Sequence, residues 1–253
     1  MSEPIDVHTF IGDWIGTEGK FSSTVTTLLS AMRKAGISHS VAMTTNSDQN
    51  ESVRRIVKEH HDSLYFAMWF VPDQSHLDYL REHREEIKLV KIHPSHTRTR
   101  LDDPKMKPVV EFCEENDLPI LVHCGRWREV SGYDAAMNVA ETCDGTILLA
   151  HMGGVDPSLV ISTVDSLRDG HLKNVYLVTS GMAISENSYK LGGCPPSVIR
   201  YAVEGVGSDR VLLGSDFPFG SPLEMLDSVL AANLGLGDFR RITHDNAVQI
   251  LRL

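Results

Sequence analysis

The sequence predicts an α/β chain closed into a (β/α)8 barrel of the TIM type, and three observations carry that expectation. Short β-branched runs alternate with amphipathic helical stretches along the whole chain. There are eight such runs, and parallel strands need a crossover between each pair. Five of the eight end on an ionisable residue, which is where a barrel of this kind places its chemistry. The 253 residues suit one barrel of about 250 residues, so a single domain over residues 1–253 is expected.

The strand candidates are Ile5–His8, His39–Thr44, Leu64–Val71, Leu89–His93, Pro119–His123, Thr146–His151, Val175–Ser180 and Val211–Asp216. Between them, Val25, Leu28, Leu29 and Met32 recur at i, i+3, i+4 and i+7, as do Val53, Ile56, Val57 and His60, the spacing of one helix face. Asp156-Pro157 and Ser221-Pro222 each set an N-cap residue before a proline at the first helical position, and Ser221 and Glu224 have capping-box spacing. The last segment, Phe239–Leu253, reads as a C-terminal helical piece on the barrel exterior. An open doubly wound sheet is the rival, but it rarely needs so many uninterrupted βα units.

Composition removes several function classes. The hydrophobic share of 42% is ordinary for a globular core, and no stretch nears the roughly 20 apolar residues that cross a bilayer. A net charge of −10 argues against nucleic acid as a partner. Cys113, Cys124, Cys143 and Cys194 show no metal or redox spacing, which suits a cytoplasmic protein. The acidic start Met1–Asp6 does not read as a secretory signal. Of the twelve histidines, His60, His61, His76, His83 and His171 lie in polar contexts and read as solvated.

Other histidines sit at strand ends. The strand-terminal triplets are Asp6-Val7-His8, Lys91-Ile92-His93, Leu121-Val122-His123, Leu149-Ala150-His151 and Gly214-Ser215-Asp216. Side chains alternate along a strand, so Leu121 shares a face with His123, Leu149 with His151 and Gly214 with Asp216. One such histidine is most simply a hydrogen-bonded core residue. Several on separate strands, joined by an aspartate on the last, point to a site. Imidazole and carboxylate are the usual donors to zinc, which needs three protein ligands and an open position for water when catalytic.

These residues and their flanks resemble the amidohydrolase superfamily, in the amidohydrolase-2 branch that also holds decarboxylases and lactonases. The stretches are IDVHTFIG (5–12), VKIHP (90–94), DLPILVHCG (117–125), ILLAHMGG (147–154), DRVLLGSDFPFG (209–220) and THDNAVQIL (243–251). The resemblance implies metal ligation by His8, His123 and Asp216, proton handling by His151, and a water proton accepted by Asp216. One divalent ion, zinc, is the cofactor it implies. The family's strand-1 pattern is His-x-His, whereas this chain reads His8-Thr9-Phe10, and Phe10 cannot ligate a metal. Two readings stay open: a three-ligand site helped by His93 or His151, or acid/base chemistry by the polar cluster without a tightly held metal. Lys91 reads as a structural or substrate-facing cation.

Trp14, Trp69 and Trp127 all follow or close strands, and aromatics at a barrel mouth suit a ring-bearing substrate. Arg126 and Arg128 directly follow the His123 strand, and Arg98 and Arg100 the Lys91 strand. Arginine forks grip carboxylates, so the expected substrate is a small anionic molecule bound by Arg126, Trp127, Trp69 and His93. A solvated loop accounts for the arginines as well. Alternation turns Cys124 toward the helices. The expected function is hydrolysis of a small carboxylate-bearing amide, ester or lactone. Non-oxidative decarboxylation on the same scaffold is the alternative enzyme, and an impaired small-molecule binding protein the alternative outside catalysis. A homo-oligomer is compatible with all three.

Overall fold

A computed structural model describes residues 3–16, 19–125, 127–181 and 194–253. Its nine strands are β1 (Ile5–Gly16), β2 (Gly19–Ser23), β3 (His39–Thr44), β4 (Leu64–Phe70), β5 (Ile87–Ile92), β6 (Ile120–Val122), β7 (Ile147–Leu149), β8 (Val175–Val178) and β9 (Val211–Leu212). They form one sheet in the order β2-β1-β3-β4-β5-β6-β7-β8-β9. All neighbouring pairs are parallel except β1 with β2, an antiparallel ribbon.

The eight parallel strands close on themselves. Val7 donates its N–H to Leu213 O at 3.0 Å, Asp216 to His8 O at 2.8 Å, and Phe10 to Phe217 O at 2.8 Å. These bonds stitch the segment after β9 to β1, so the sheet curls into the expected (β/α)8 barrel. Asp6 strengthens the seam: its Oδ1 accepts the N–H of Ser215 at 2.9 Å and of His8 at 3.1 Å.

Two apolar clusters follow from strand alternation. Ile5, Val7, Val41, Met43, Ala67, Leu89, Leu121, Leu148, Val178 and Leu212 fill the barrel axis. Ile11, Ala42, Phe66, Val90, Val122, Leu149 and Leu177 pack outward with helix residues such as Leu28, Val53, Val109 and Val160. β1 breaks its own alternation. Asp6 pairs with Ser40 but Thr9 with Ala42, so Val7 and His8 together oppose Val41 in a bulge. Val7 therefore ends the axial plug, while His8 and Phe10 continue on the inner side above it.

The helices start where the sequence says. Asp156 caps the helix Pro157–Leu167 through the N–H groups of Ser158 and Leu159, and Ser221 caps Pro222–Ala231 through that of Glu224. Thr24 and Thr27 form a reciprocal capping box on Val25–Ala35, which ends at Gly36 with φ 68°. No helix among the described residues is long and apolar enough to cross a membrane.

Two expectations are corrected. β1 runs on to Gly16 and folds back as the ribbon with β2, so Trp14 lies within a strand and not in the loop after it. The C-terminal segment is not merely exterior. Ala247 and Leu251 join the axial cluster, and Asn246 Nδ2 donates to Val211 O at 2.7 Å, so the helix Asn246–Leu251 helps fill the barrel.

Candidate active site

His8, Lys91, His93, His123, His151 and Asp216 meet at the C-terminal ends of their strands. His8 and Lys91 are fully buried, and His93, His151 and Asp216 nearly so. His123 is half-buried at the rim. Their ordering follows from local backbone. His93 and Lys91 share a face of the β5 strand and its extension, as do Leu121 and His123 on β6. His151 arrives differently from the way alternation implies. Leu149 packs outward, β7 stops there, and His151 and Met152 take φ of 57° and 53° in a tight turn that swings the imidazole to the axis. Asp216 also has positive φ, 62°, in a turn whose carbonyl accepts the N–H of Phe219 at 2.8 Å. Left-handed backbone at non-glycine residues costs about 1–3 kcal/mol each and clusters at functional sites.

The cluster divides into two pairs. His8 Nε2 lies 3.3 Å from Asp216 Oδ1 and 3.1 Å from Lys91 Nζ, while His8 Nδ1 lies 3.2 Å from Ser180 Oγ. Separately, His151 Nε2 lies 3.2 Å from His123 Nδ1, and His151 Nδ1 lies 3.3 Å from the Ser180 carbonyl. A carbonyl only accepts, so His151 carries its proton on Nδ1. Its Nε2 is then a lone pair that accepts the N–H of His123 Nδ1. This chain leaves His123 Nε2 as a bare basic nitrogen, packed beside Gly125.

Burial, and then the charge of Lys91, push the imidazoles of His8 and His93 well below their usual range. Burial and Lys91 lower His151 to about 3. His123 is lowered by burial and by its neighbours His93 and His151. All four rings are neutral at pH 7, so each can bind through one lone pair. Burial brings Lys91 down to about 8, with Asp216 acting against the fall. Burial drives the Cys124 thiol up to about 12, and its side chain faces the helix layer, as its sequence position implies.

Aromatic rings wall the mouth. Trp69 is buried and stacks on His93 at 5.1 Å between centroids, and His93 stacks on His123 at 3.9 Å. Asn50 pins the Trp69 backbone at both its N–H and its carbonyl, each at 2.8 Å. Trp14 meets His96 at 4.6 Å and Phe219 at 5.4 Å. Phe10 sits between His8 (5.2 Å), Trp69 (6.3 Å) and Phe219 (6.0 Å), on the same side of β1 as His8. Trp127 is 47% exposed at the rim, with the Arg98 guanidinium 4.6 Å over its ring. Arg100 is held elsewhere, by Asp102 and Asp134 at 2.8 Å, so it does not face the mouth. Arg126 lies outside the described residues.

The donor set does not fit the metal site expected of His8, His123 and Asp216. Among the described residues no three His, Cys, Asp or Glu side chains are grouped to hold an ion. His8 pairs with Asp216, and no third such donor is grouped with them among the described residues. The physical reason lies at His8 Nε2, the nitrogen a metal would use: the ammonium of Lys91 already faces it. Ser180 and Lys91 join this cluster without having been picked out by the strand-end pattern of histidines. Both end or nearly end a strand, the same signal that marks the histidines.

The amidohydrolase family pattern matches residues 21–253, beginning after the stretch that carries His8 and Phe10. Comparison with curated proteins returns no match. Among solved structures, an amidohydrolase from Burkholderia multivorans is similar over 100% of both chains, with TM-score 0.81 and 15% identity. A protein described as a 2-pyrone-4,6-dicarboxylic acid hydrolase from Pseudomonas putida is similar over 99% of this chain and 97% of its own, with TM-score 0.75 and 16% identity. The 5-carboxyvanillate decarboxylase of Sphingomonas paucimobilis is similar over 99% of both chains, with TM-score 0.74 and 14% identity.

Proposed function

Because the chain belongs to the amidohydrolase family, we propose that it hydrolyses the ester, lactone or amide bond of a small carboxylate-bearing molecule. The observation that supports this most is the Ser180–His151–His123 chain, which leaves one nitrogen with a lone pair at the strand ends where the Asp216 carboxylate also lies. In this reading His123 Nε2 accepts a hydrogen bond from a water and orients it. The water oxygen bonds to the substrate carbonyl carbon, and its proton passes to Asp216. As the carbon–oxygen or carbon–nitrogen bond breaks, Asp216 returns that proton to the departing atom. His151 has both ring nitrogens engaged, so it acts through His123 and not on the substrate directly.

Trp127 offers a flat apolar surface and Arg98 its charge at the rim, while Trp69 and the His93 ring stacked between it and His123 form the wall of the mouth. An anionic ring substrate agrees with the dicarboxylate and carboxyvanillate in the names of the similar proteins. Zinc is not part of this mechanism, because Lys91 faces the nitrogen that would bind it. A reducing cytoplasmic setting is, supported by four free and buried cysteines.

The test is a panel of carboxylate-bearing lactones, activated esters and amides, followed by acid release at constant pH together with CO2 detection. Acid release without CO2 is the expected result. CO2 release would replace hydrolysis by decarboxylation, and saturable binding without turnover would make the chain a binding protein.

A further inference from the structure

The ammonium of Lys91 raises a question of charge balance at the heart of the barrel. Its side chain is fully buried, and a buried cation is retained only where the surroundings compensate it. The compensation comes from three sides. His8 Nε2 lies 3.1 Å from Nζ and offers it a lone pair when the ring carries its proton on Nδ1, the Phe10 ring lies 5.9 Å below Nζ, and Asp216 supplies negative charge. Two of these three would themselves be donors to a metal ion. The third stands at the position where the resemblance calls for another donor.

We propose that Lys91 is the resident cation of this site, occupying the place of a metal ion, and that Phe10 is its partner and not a defect in a ligand set. This rests on the hydrolytic reading for its role in turnover, but not for its structural content. A zinc ion on His8 would sit about 2.0–2.1 Å from Nε2 along its lone pair, the direction from which Lys91 approaches. An ammonium and a divalent ion cannot share that direction, so one excludes the other. A histidine at position 10 would lose the ring face that stabilises the ammonium. Phe10 and Lys91 are therefore one substitution in two parts: a donor removed and a cation supplied. In turnover the ammonium stands where a metal would polarise the substrate carbonyl, and it stabilises the oxygen that becomes negative when water adds.

The first measurement uses no substrate. The unmodified protein, purified without chelator and then incubated with excess zinc, is passed through gel filtration and its metal counted. Under one tenth of an equivalent per chain is expected, on the order of background for a site with no affinity. One retained equivalent overturns the proposal, and two, with uptake raised by bicarbonate, would make Lys91 a carbamylated bridge. Lys91→Met with Phe10→His should gain about one zinc per chain, since it restores three donors and removes the cation. Where that variant is unfolded by circular dichroism, Lys91→Arg serves: it keeps the charge and should still exclude zinc, so one equivalent bound would overturn the proposal.

The second measurement is turnover after exhaustive chelation on any substrate the panel finds. Unchanged turnover is expected, and a loss restored by adding metal overturns the proposal. A panel with no substrate would count against the hydrolytic reading, while the metal count would still decide the cation.

Discussion

Ser180 Oγ lies 3.2 Å from Nδ1 of His8, on the side of the ring opposite the nitrogen that meets Lys91 and Asp216. Nε2 meets both an ammonium, which only donates, and a carboxylate, which only accepts; in the tautomer that answers Lys91, Nε2 holds the lone pair and Nδ1 gives its hydrogen to the serine oxygen. The same oxygen accepts the backbone N–H of His151 at 3.0 Å, so one hydroxyl joins the two halves of the site.

Ser180→Ala removes that acceptor from two buried donors. An orphaned buried donor costs about 1–3 kcal/mol, so the midpoint of chemical unfolding should fall measurably. Turnover should drop about tenfold, because His8 loses its orientation by roughly one hydrogen bond's worth of free energy, while KM stays close to its original value. A KM change with kcat intact would show that Ser180 shapes binding and not the His8 ring.

Gly125→Ala places a methyl group against the His123 ring. The ring has nowhere to retreat, since His93 stacks on its face and His151 holds its Nδ1. Turnover should fall about a hundredfold, as misplacement by roughly 1 Å can do, with the circular dichroism spectrum unchanged. Gly237→Ala is the control. Its new methyl meets nothing within 4 Å, and it lies in the helix Leu236–Arg240, so stability should rise by up to about 1 kcal/mol at constant turnover.

Exchanging His151 and His123 separately for asparagine distinguishes a group that acts directly from one that positions. His123→Asn removes the basic nitrogen and should reduce kcat by about two to four decades, the usual range for acid–base groups. His151→Asn should cost less and be seen mainly in kcat. Adding imidazole to each variant sharpens the contrast: rescue is expected for His123→Asn alone. Equal losses and equal rescue would return His151 to direct contact with the substrate.

Arg98→Met should raise KM for an acidic substrate by one to two decades, the value of about 1.5–3 kcal/mol for a charge-assisted contact, and leave the matching neutral ester nearly unaffected. Arg100→Met should alter neither, because its guanidinium is committed to Asp102 and Asp134. Its loss should register only in stability, and by less than about 1 kcal/mol for a pair this exposed. Identical KM shifts on acid and ester would rule out Arg98 as a carboxylate contact.

The barrel was legible because its code is repetitive. Eight apolar runs and their capped helices need only periods of two and 3.6 to be recognised, and the runs coincide with the eight parallel strands. His8, His93, His123 and Asp216 were legible by the same rule, each ending a strand. His151 reaches the axis by a route that alternation does not give, since a left-handed turn delivers it, and Gly153-Gly154 is the sign of that turn in the sequence. The β1–β2 ribbon went unseen because Gly19–Ser23 is short and polar. Lys91 is not legible in the sequence, because its meaning lies in contact with His8 and Phe10, which no linear spacing displays.

The bulge in β1 gives that strand two consecutive residues on the barrel axis, Val7 below and His8 above. Replacing Val7 with a smaller apolar residue would keep its N–H on Leu213 O and leave His8 and Phe10 aimed inward, so the loss would fall on the plug alone. Along this one strand, the seal that keeps solvent from rising through the barrel and the groups that do chemistry are separately heritable. Variation at position 7 can retune how dry the floor is without rewriting what reacts above it.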